Sequence, residues 1–190
     1  ILEKKSTDKK TLLYDKEIEN YVEFPLRSEN IIPVECADTV KKMLPFVDKY
    51  GSLKAMIKSN LPNKKITLSD KKSETHPYPN IKTCILKNKI QPELVIEYSN
   101  QPCPFYGKKK LVLAHGMYGF PYIDLEGKYG ISNRDKYVYL CNNDSDLIKL
   151  RDFLSSDLAF YLFNATRYRM NYLEKYIFCY LPNILLMNEN

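Results

Sequence analysis

The sequence predicts an α+β domain: a small mixed or antiparallel sheet flanked by helices, with a helical C-terminal part. Three observations lead there. Residues 106–141 hold two short apolar strands, 111–114 and 137–141, joined by a loop carrying Gly116, Gly119, Gly127 and Gly130. Glycine at turns supplies the φ > 0 conformations that other residues resist. Ahead of this unit, 83–86 and 94–98 read as strands, the second alternating enough to be half buried. Behind it, two runs open on Asn/Asp/Ser clusters and continue with apolar residues at helical spacing.

Taken in order, residues 1–30 mix charges with isolated apolar positions (Leu12, Leu13, Tyr14, Tyr21, Val22, Phe24) and read as a linker or N-terminal extension. A short strand is expected at each apolar group. Residues 31–190 form the single expected domain. A brief strand at 31–35, with Pro33 at its edge, leads to a helix start at Ala37-Asp38-Thr39. Val40, Met43, Leu44 and Val47 give that helix its apolar face, Gly51 its stop, and Pro45 an expected kink. A second short helix is expected over 52–60. Residues 62–82 are polar, rich in lysine and broken by prolines, which marks a loop carrying Lys64, Lys65, Lys71, Lys72 and His76. Residues 99–106 read as an irregular turn. After Cys141, Asn142-Asn143-Asp144-Ser145 caps one helix and Ser155-Ser156-Asp157 caps the next. A basic aromatic segment from Thr166 to Tyr172 and an apolar run over 176–181, ended by Pro182, close the chain. No period of 20–50 residues recurs, which excludes a repeat protein.

With 190 residues, 44% of them hydrophobic and 27% charged, the chain has the composition of a folded domain. No apolar run is long enough to span a bilayer, and the first residues carry no signal-peptide pattern, so an intracellular location in cytoplasm or nucleus is expected. The absence of an initiator methionine reads as an excised domain. The five cysteines lack the two-residue spacing of a zinc knuckle or redox motif, so reduced thiols and no metal site are expected. Residues 54–110 carry 12 basic and 4 acidic side chains, whereas the flanking segments are each slightly acidic. Such a local excess attracts polyanions, nucleic acid foremost, though a solvated lysine surface has the same composition. Lys41, Lys42, Lys49, Lys54 and Lys58 likewise fit a backbone-binding face or an exposed helix face.

Two catalytic readings fail on their own requirements. Residues 112–116 (VLAHG) resemble an α/β-hydrolase oxyanion turn, but no G-x-S-x-G serine exists and no histidine follows His115. Residues 100–106 (NQPCPFY) resemble the N/D-P-P-Y/F signature of amino-methyltransferases. Here Cys103 separates the prolines, and no Asn or Asp directly precedes Pro102. No glycine-rich loop follows a strand to seat a nucleoside cofactor. Asp124 and Glu126 read as a turn pair beside Gly127, with a metal or acid–base role as the alternative. No catalytic residues are assigned.

The succession KKKLVLAH, GFPYIDLEGKYGISNRDKYVYL and LRDFLSSDLAFYLFNATRYRMNYLEKYIFCYLPNI resembles the C-terminal region of N6-adenine DNA methyltransferases. The likeness is to the type II restriction-modification sort and their versions in large DNA viruses. It covers residues 93–185 and places the family's strand after a basic turn at 108–113. Its polar and aromatic loop falls at 118–140, its "fLnSkl" helix start at 153–158, and its aromatic-basic segment with an "lP" stop at 167–182. The resemblance implies a target-recognition domain that follows a catalytic domain. It also implies that S-adenosylmethionine belongs to that other domain, since this chain has no cofactor motif of its own.

The reading is therefore a sequence-specific domain for double-stranded DNA, without catalysis or cofactor of its own and without a membrane partner. Lys108, Lys109, Lys110 and Lys128 are the expected phosphate contacts, with Arg167 and Arg169 from the helical side. Asn133 and Arg134 are the candidates for base edges, because Arg suits the guanine acceptors and Asn the adenine edge. Tyr118, Tyr122 and Tyr129 would stack, pack on sugars or fill space beneath the loop. Two rivals stand beside this reading: a viral structural or protein-interaction domain with a tyrosine-rich docking loop, and an RNA-binding module whose aromatics stack on unpaired bases.

Overall fold

A computed structural model describes residues 10–25, 32–33, 35–54, 56–85, 93–116, 121–167 and 172–187. They form an α+β fold in three layers, two four-stranded sheets and one layer of helices, with a separate two-stranded hairpin near the N-terminus. One sheet has the order β3 (Ile57–Lys58), β10 (Lys136–Leu140), β7 (Lys110–Ala114), β8 (Tyr122–Asp124). The other has the order β4 (Leu68–Ser69), β6 (Glu93–Ser99), β5 (Tyr78–Ile85), β9 (Gly130–Ile131), and only the β5–β9 pairing is parallel.

The two-residue period of a strand explains the layering. On β7 and β10, Val112, Ala114 and Val138 face a small core shared with Ile81, Cys84 and Ile131 of the second sheet. Leu111, Leu113 and Tyr137 face a larger core built from the helices and the C-terminal segment. Strands buried on both faces read as continuous apolar runs, and 111–114 is one. The two central strands expected from the sequence are therefore antiparallel neighbours, Tyr137 opposite Leu113 and Val138 opposite Val112.

The helical layer begins with α1 (Ala37–Tyr50), which runs through Pro45 to Gly51 and buries Val40, Met43 and Leu44. No side chain of Cys36 caps it. Asp15 instead accepts the Asp38 amide at 2.9 Å from across the fold. In α2 (Asp144–Leu154) the Asn143 side chain accepts from Ser145 N, and in α3 (Asp157–Ala165) Ser156 accepts from Ala159 N. Ser156→Ala should cost about 1 kcal/mol, the usual loss for a helix cap, and urea denaturation measures it.

Residues 10–25, read as linker or extension with a short strand at each apolar group, hold those two strands as an antiparallel hairpin of β1 (Lys10–Asp15) and β2 (Asn20–Pro25), which buries Val22 and Phe24 in the helical core. The opposite face of the hairpin leaves Leu12, Tyr14 and Tyr21 exposed. Over 52–60 the described residues form no helix. Ser52 bridges Pro182, and β3 adds to the edge of β10 where Ser59 N donates to Lys136 O. Residues 32, 33 and 35 are not in a strand, and the other two positions of that expected strand lie outside the described residues. The C-terminal apolar run forms a 3-10 turn, Lys175–Cys179, which seats Ile177 and Phe178 in the core.

Candidate nucleic-acid interface

Strand register decides which predicted residues share an end of the sandwich. Lys110 stands opposite Asp124 of β8 and Leu140 of β10, and Tyr78 at the start of β5 stands opposite Ser99. The turns 100–109 and 125–129 therefore lie together at one end. Gly107 N donates to Gly127 O at 2.8 Å, Ile131 N to Pro104 O at 2.9 Å, and the Tyr78 and Tyr106 rings meet edge to face at 5.4 Å. Thr67 and Asn100 exchange two hydrogen bonds, which attach the 62–77 loop to the same end.

This loop is more ordered than its composition predicts. His76 bonds the Thr67 hydroxyl through Nε2 and the Thr75 hydroxyl through Nδ1, each at 3.0 Å, and Ser73 bonds the His76 amide. Its cations Lys64, Lys65, Lys71 and Lys72 are all exposed. Lys82 is already engaged, with Asp70 at 3.0 Å and Glu97 at 3.5 Å.

The three consecutive lysines have three different fates. Lys108 is exposed and makes no ion pair among the described residues. Lys109 is half-exposed and bonds Asp144 of α2 at 2.7 Å. Lys110 is a correction to the phosphate-contact expectation: it is fully buried, with Nζ 2.6 Å from Asp124 Oδ2. The same ammonium donates to the carbonyl oxygens of Phe105 and Lys108 at 3.2 and 3.0 Å. Burial holds its pKa below the usual lysine range even with Asp124 beside it. Asp124, for its part, accepts from the backbone amides of Lys128 and Tyr129, both at 2.9 Å. The turn-pair reading of Asp124 thus describes what its carboxylate touches.

Beside these turns lies a hollow of about 330 Å³ lined by residues 122–126, 128 and 129. Tyr122 and Tyr129 meet there at 6.2 Å, and the exposed Lys128 holds its ammonium 5.5 Å from the centre of the Tyr129 ring. Burial pushes the Tyr122 phenol up to about 12, so it stays a neutral donor at ordinary pH.

Asn133 and Arg134 stand at the opposite end, since Lys136 pairs with Ala114 and His115 N donates to Asp135 O. A five-residue strand puts about 13 Å between the two ends. Arg134 is exposed there, with no ion pair among the described residues. Asn133, a base-edge candidate, already spends its amide on its own turn and on β5. Its Nδ2 donates to Lys82 O at 2.6 Å, and its Oδ1 accepts from Asp135 N and from the buried Lys136 ammonium. Arg167 is half-buried at the end of α3. Tyr118 and Arg169 lie outside the described residues.

Among the described residues no cluster of three His, Cys, Asp or Glu side chains could hold a metal ion. Burial pushes the thiols of Cys36 and Cys84 up to about 12 and about 11, far from the range of a reactive thiolate. No described helix is long and apolar enough to cross a membrane. No protein-family model matches the sequence, and neither a curated protein nor a solved structure is similar to it.

Proposed function

We propose that this domain binds double-stranded DNA through the lysine-rich end of its sandwich, as the target-recognition part of an adenine-N6 DNA methyltransferase. The observation that carries the proposal is the grouping of exposed cations. Lys64, Lys65, Lys71, Lys72, Lys108 and Lys128 stand on one loop and two abutting turns. The acidic side chains there are Glu74, Glu126 and an Asp70 already paired with Lys82. Cations on connected turns, with no catalytic constellation beside them, suit phosphate contacts that fix register. The resemblance of residues 93–185 to the C-terminal region of such methyltransferases supports the finer assignment. In that setting S-adenosylmethionine and the chemistry on the extruded base belong to a partner domain.

Fluorescence anisotropy with a short labelled duplex tests the reading, with single-stranded RNA and polyglutamate as competitors at fixed salt. Duplex binding displaced by unlabelled duplex well before either competitor is the expected result. Preferential displacement by RNA would favour the RNA-binding alternative, and no retention on duplex at low salt would favour protein interaction. Arg134, at the far end, carries its own test. If it reads a base, Arg134→Ala costs about 1–3 kcal/mol at one base pair only; uniform weakening across sequences assigns it to phosphate.

A further inference from the structure

The Lys110–Asp124 pair does something that its burial alone does not require. Well-packed apolar residues of similar volume generally stabilise a core as well as a buried ion pair does. What this pair adds is a set of directional bonds to two separate turns. From Lys110 they run to the carbonyls of Phe105 and Lys108; from Asp124 they run to the amides of Lys128 and Tyr129. Gly107 N to Gly127 O closes the junction. Residue 127 must be glycine for the turns to meet. Its φ is +68°, and a β-carbon there would sit 2.6 Å from the carbonyl carbon of Gly107 and 2.7 Å from Lys108 N. The pair itself is neutral overall, so the charge it presents outward is that of the two exposed lysines it anchors, Lys108 and Lys128.

We infer that Lys108 and Lys128, whose backbones the buried pair ties to two abutting turns, form a single two-lysine clamp for one nucleic-acid phosphate. The inference rests on the nucleic-acid reading above and deepens it by assigning one phosphate site with two jaws. Lys110 and Asp124 are positioning residues, since they touch the turns and not the ligand. A clamp held in place before binding loses less side-chain and loop freedom when the phosphate arrives. The neighbouring Lys109 is tied to Asp144 and takes no part.

The salt dependence of duplex binding counts phosphates, not lysines, because each neutralised phosphate contributes about 0.9 to the slope of log K against log salt. The full chain is measured by anisotropy with a 20-base-pair duplex over a potassium chloride series. The double variant Lys108→Ala/Lys128→Ala is expected to lower the slope by about 0.9. A fall of about 1.8 would mean two independent phosphates and would overturn the clamp; no fall would mean no phosphate there at all. Gly127→Ala, which wedges the turns apart without touching a charge, is expected to lose the same increment while its circular dichroism spectrum stays native. Should that variant fail to fold, Lys110→Met/Asp124→Leu removes the directional bonds in an apolar core and takes its place. A wild-type slope in the folded wedge or apolar variant overturns the positioning role. Absence of any duplex binding by the wild-type chain overturns the parent reading, a result distinct from each of the others.

Discussion

Asp124→Ala should cost about 3–5 kcal/mol of folding stability, the usual loss when one partner of a buried ion pair is removed. The reason is the state in which it leaves Lys110. In the native fold that ammonium is sealed from water, with one carboxylate and two carbonyl oxygens around it. Without the carboxylate, only two neutral acceptors remain against the desolvation of a full charge. The amides of Lys128 and Tyr129 lose their acceptor in the same step. Urea denaturation of the variant beside the wild type gives the number directly. A loss under about 1 kcal/mol would mean that water reaches the pair, because solvated pairs contribute about that little.

The same variant should have a distinctive pH dependence. Burial already lowers the Lys110 pKa in the native protein, and loss of Asp124 removes the interactions that raise it. A lysine whose folded pKa lies below its unfolded value binds more protons in the unfolded state between the two values. Stability must then rise with pH across that window, which ends at the ordinary lysine value near 10.5. The Asp124→Ala deficit should therefore shrink as the medium is made alkaline. Lys110→Met in the same background should recover much of the loss at neutral pH, since it removes the stranded charge.

Sequence pattern carries some of these features and hides others for definite reasons. The span of α1 is legible because Val40, Met43 and Leu44 repeat at helical spacing before Gly51, and the caps at Asn143 and Ser156 are local side-chain chemistry. The two apolar groups mark the strands β1 and β2, but their pairing and buried face are obscured because both faces of the hairpin are apolar. Val22 and Phe24 point to the core while Leu12, Tyr14 and Tyr21 stay exposed, so no alternation shows. Strand β3 depends on the backbone of Lys136, far along the chain, and nothing within residues 52–60 announces that partner. The lysine run conceals most. Lys108, Lys109 and Lys110 are identical in type, yet the strand begins at the third, and its register across β8 delivers it to Asp124. The signal that could have found this pair is the carboxylate of Asp124 on a strand of otherwise apolar neighbours, directly opposite a cation at the start of β7. Asn133 is similar: an amide on a turn reads as available until Lys82 and Lys136 are seen to occupy it.

Duplex binding by the wild-type chain should weaken about 500-fold between 50 and 200 mM monovalent salt. The figure follows from five neutralised phosphates, one each for Lys64, Lys65, Lys71 and Lys72 and one shared by Lys108 and Lys128. At about 0.9 per phosphate the slope is about −4.5. Replacing the four loop lysines by alanine should reduce it to about −0.9 and leave only about a 3.5-fold loss of affinity over the same salt range. Lys82→Ala is the informative control. It removes a basic side chain from the same segment, but one whose ammonium is already held by Asp70 and Glu97. If composition alone governed binding, this change would count as much as any other lysine. If the spatial grouping of unpaired ammonium groups governs it, Lys82→Ala leaves the slope at its wild-type value while each loop lysine lowers it by about one unit. Equal effects from Lys82 and Lys71 would remove the distinction on which the interface is drawn, because an ammonium shared between two carboxylates has little charge left to offer a phosphate.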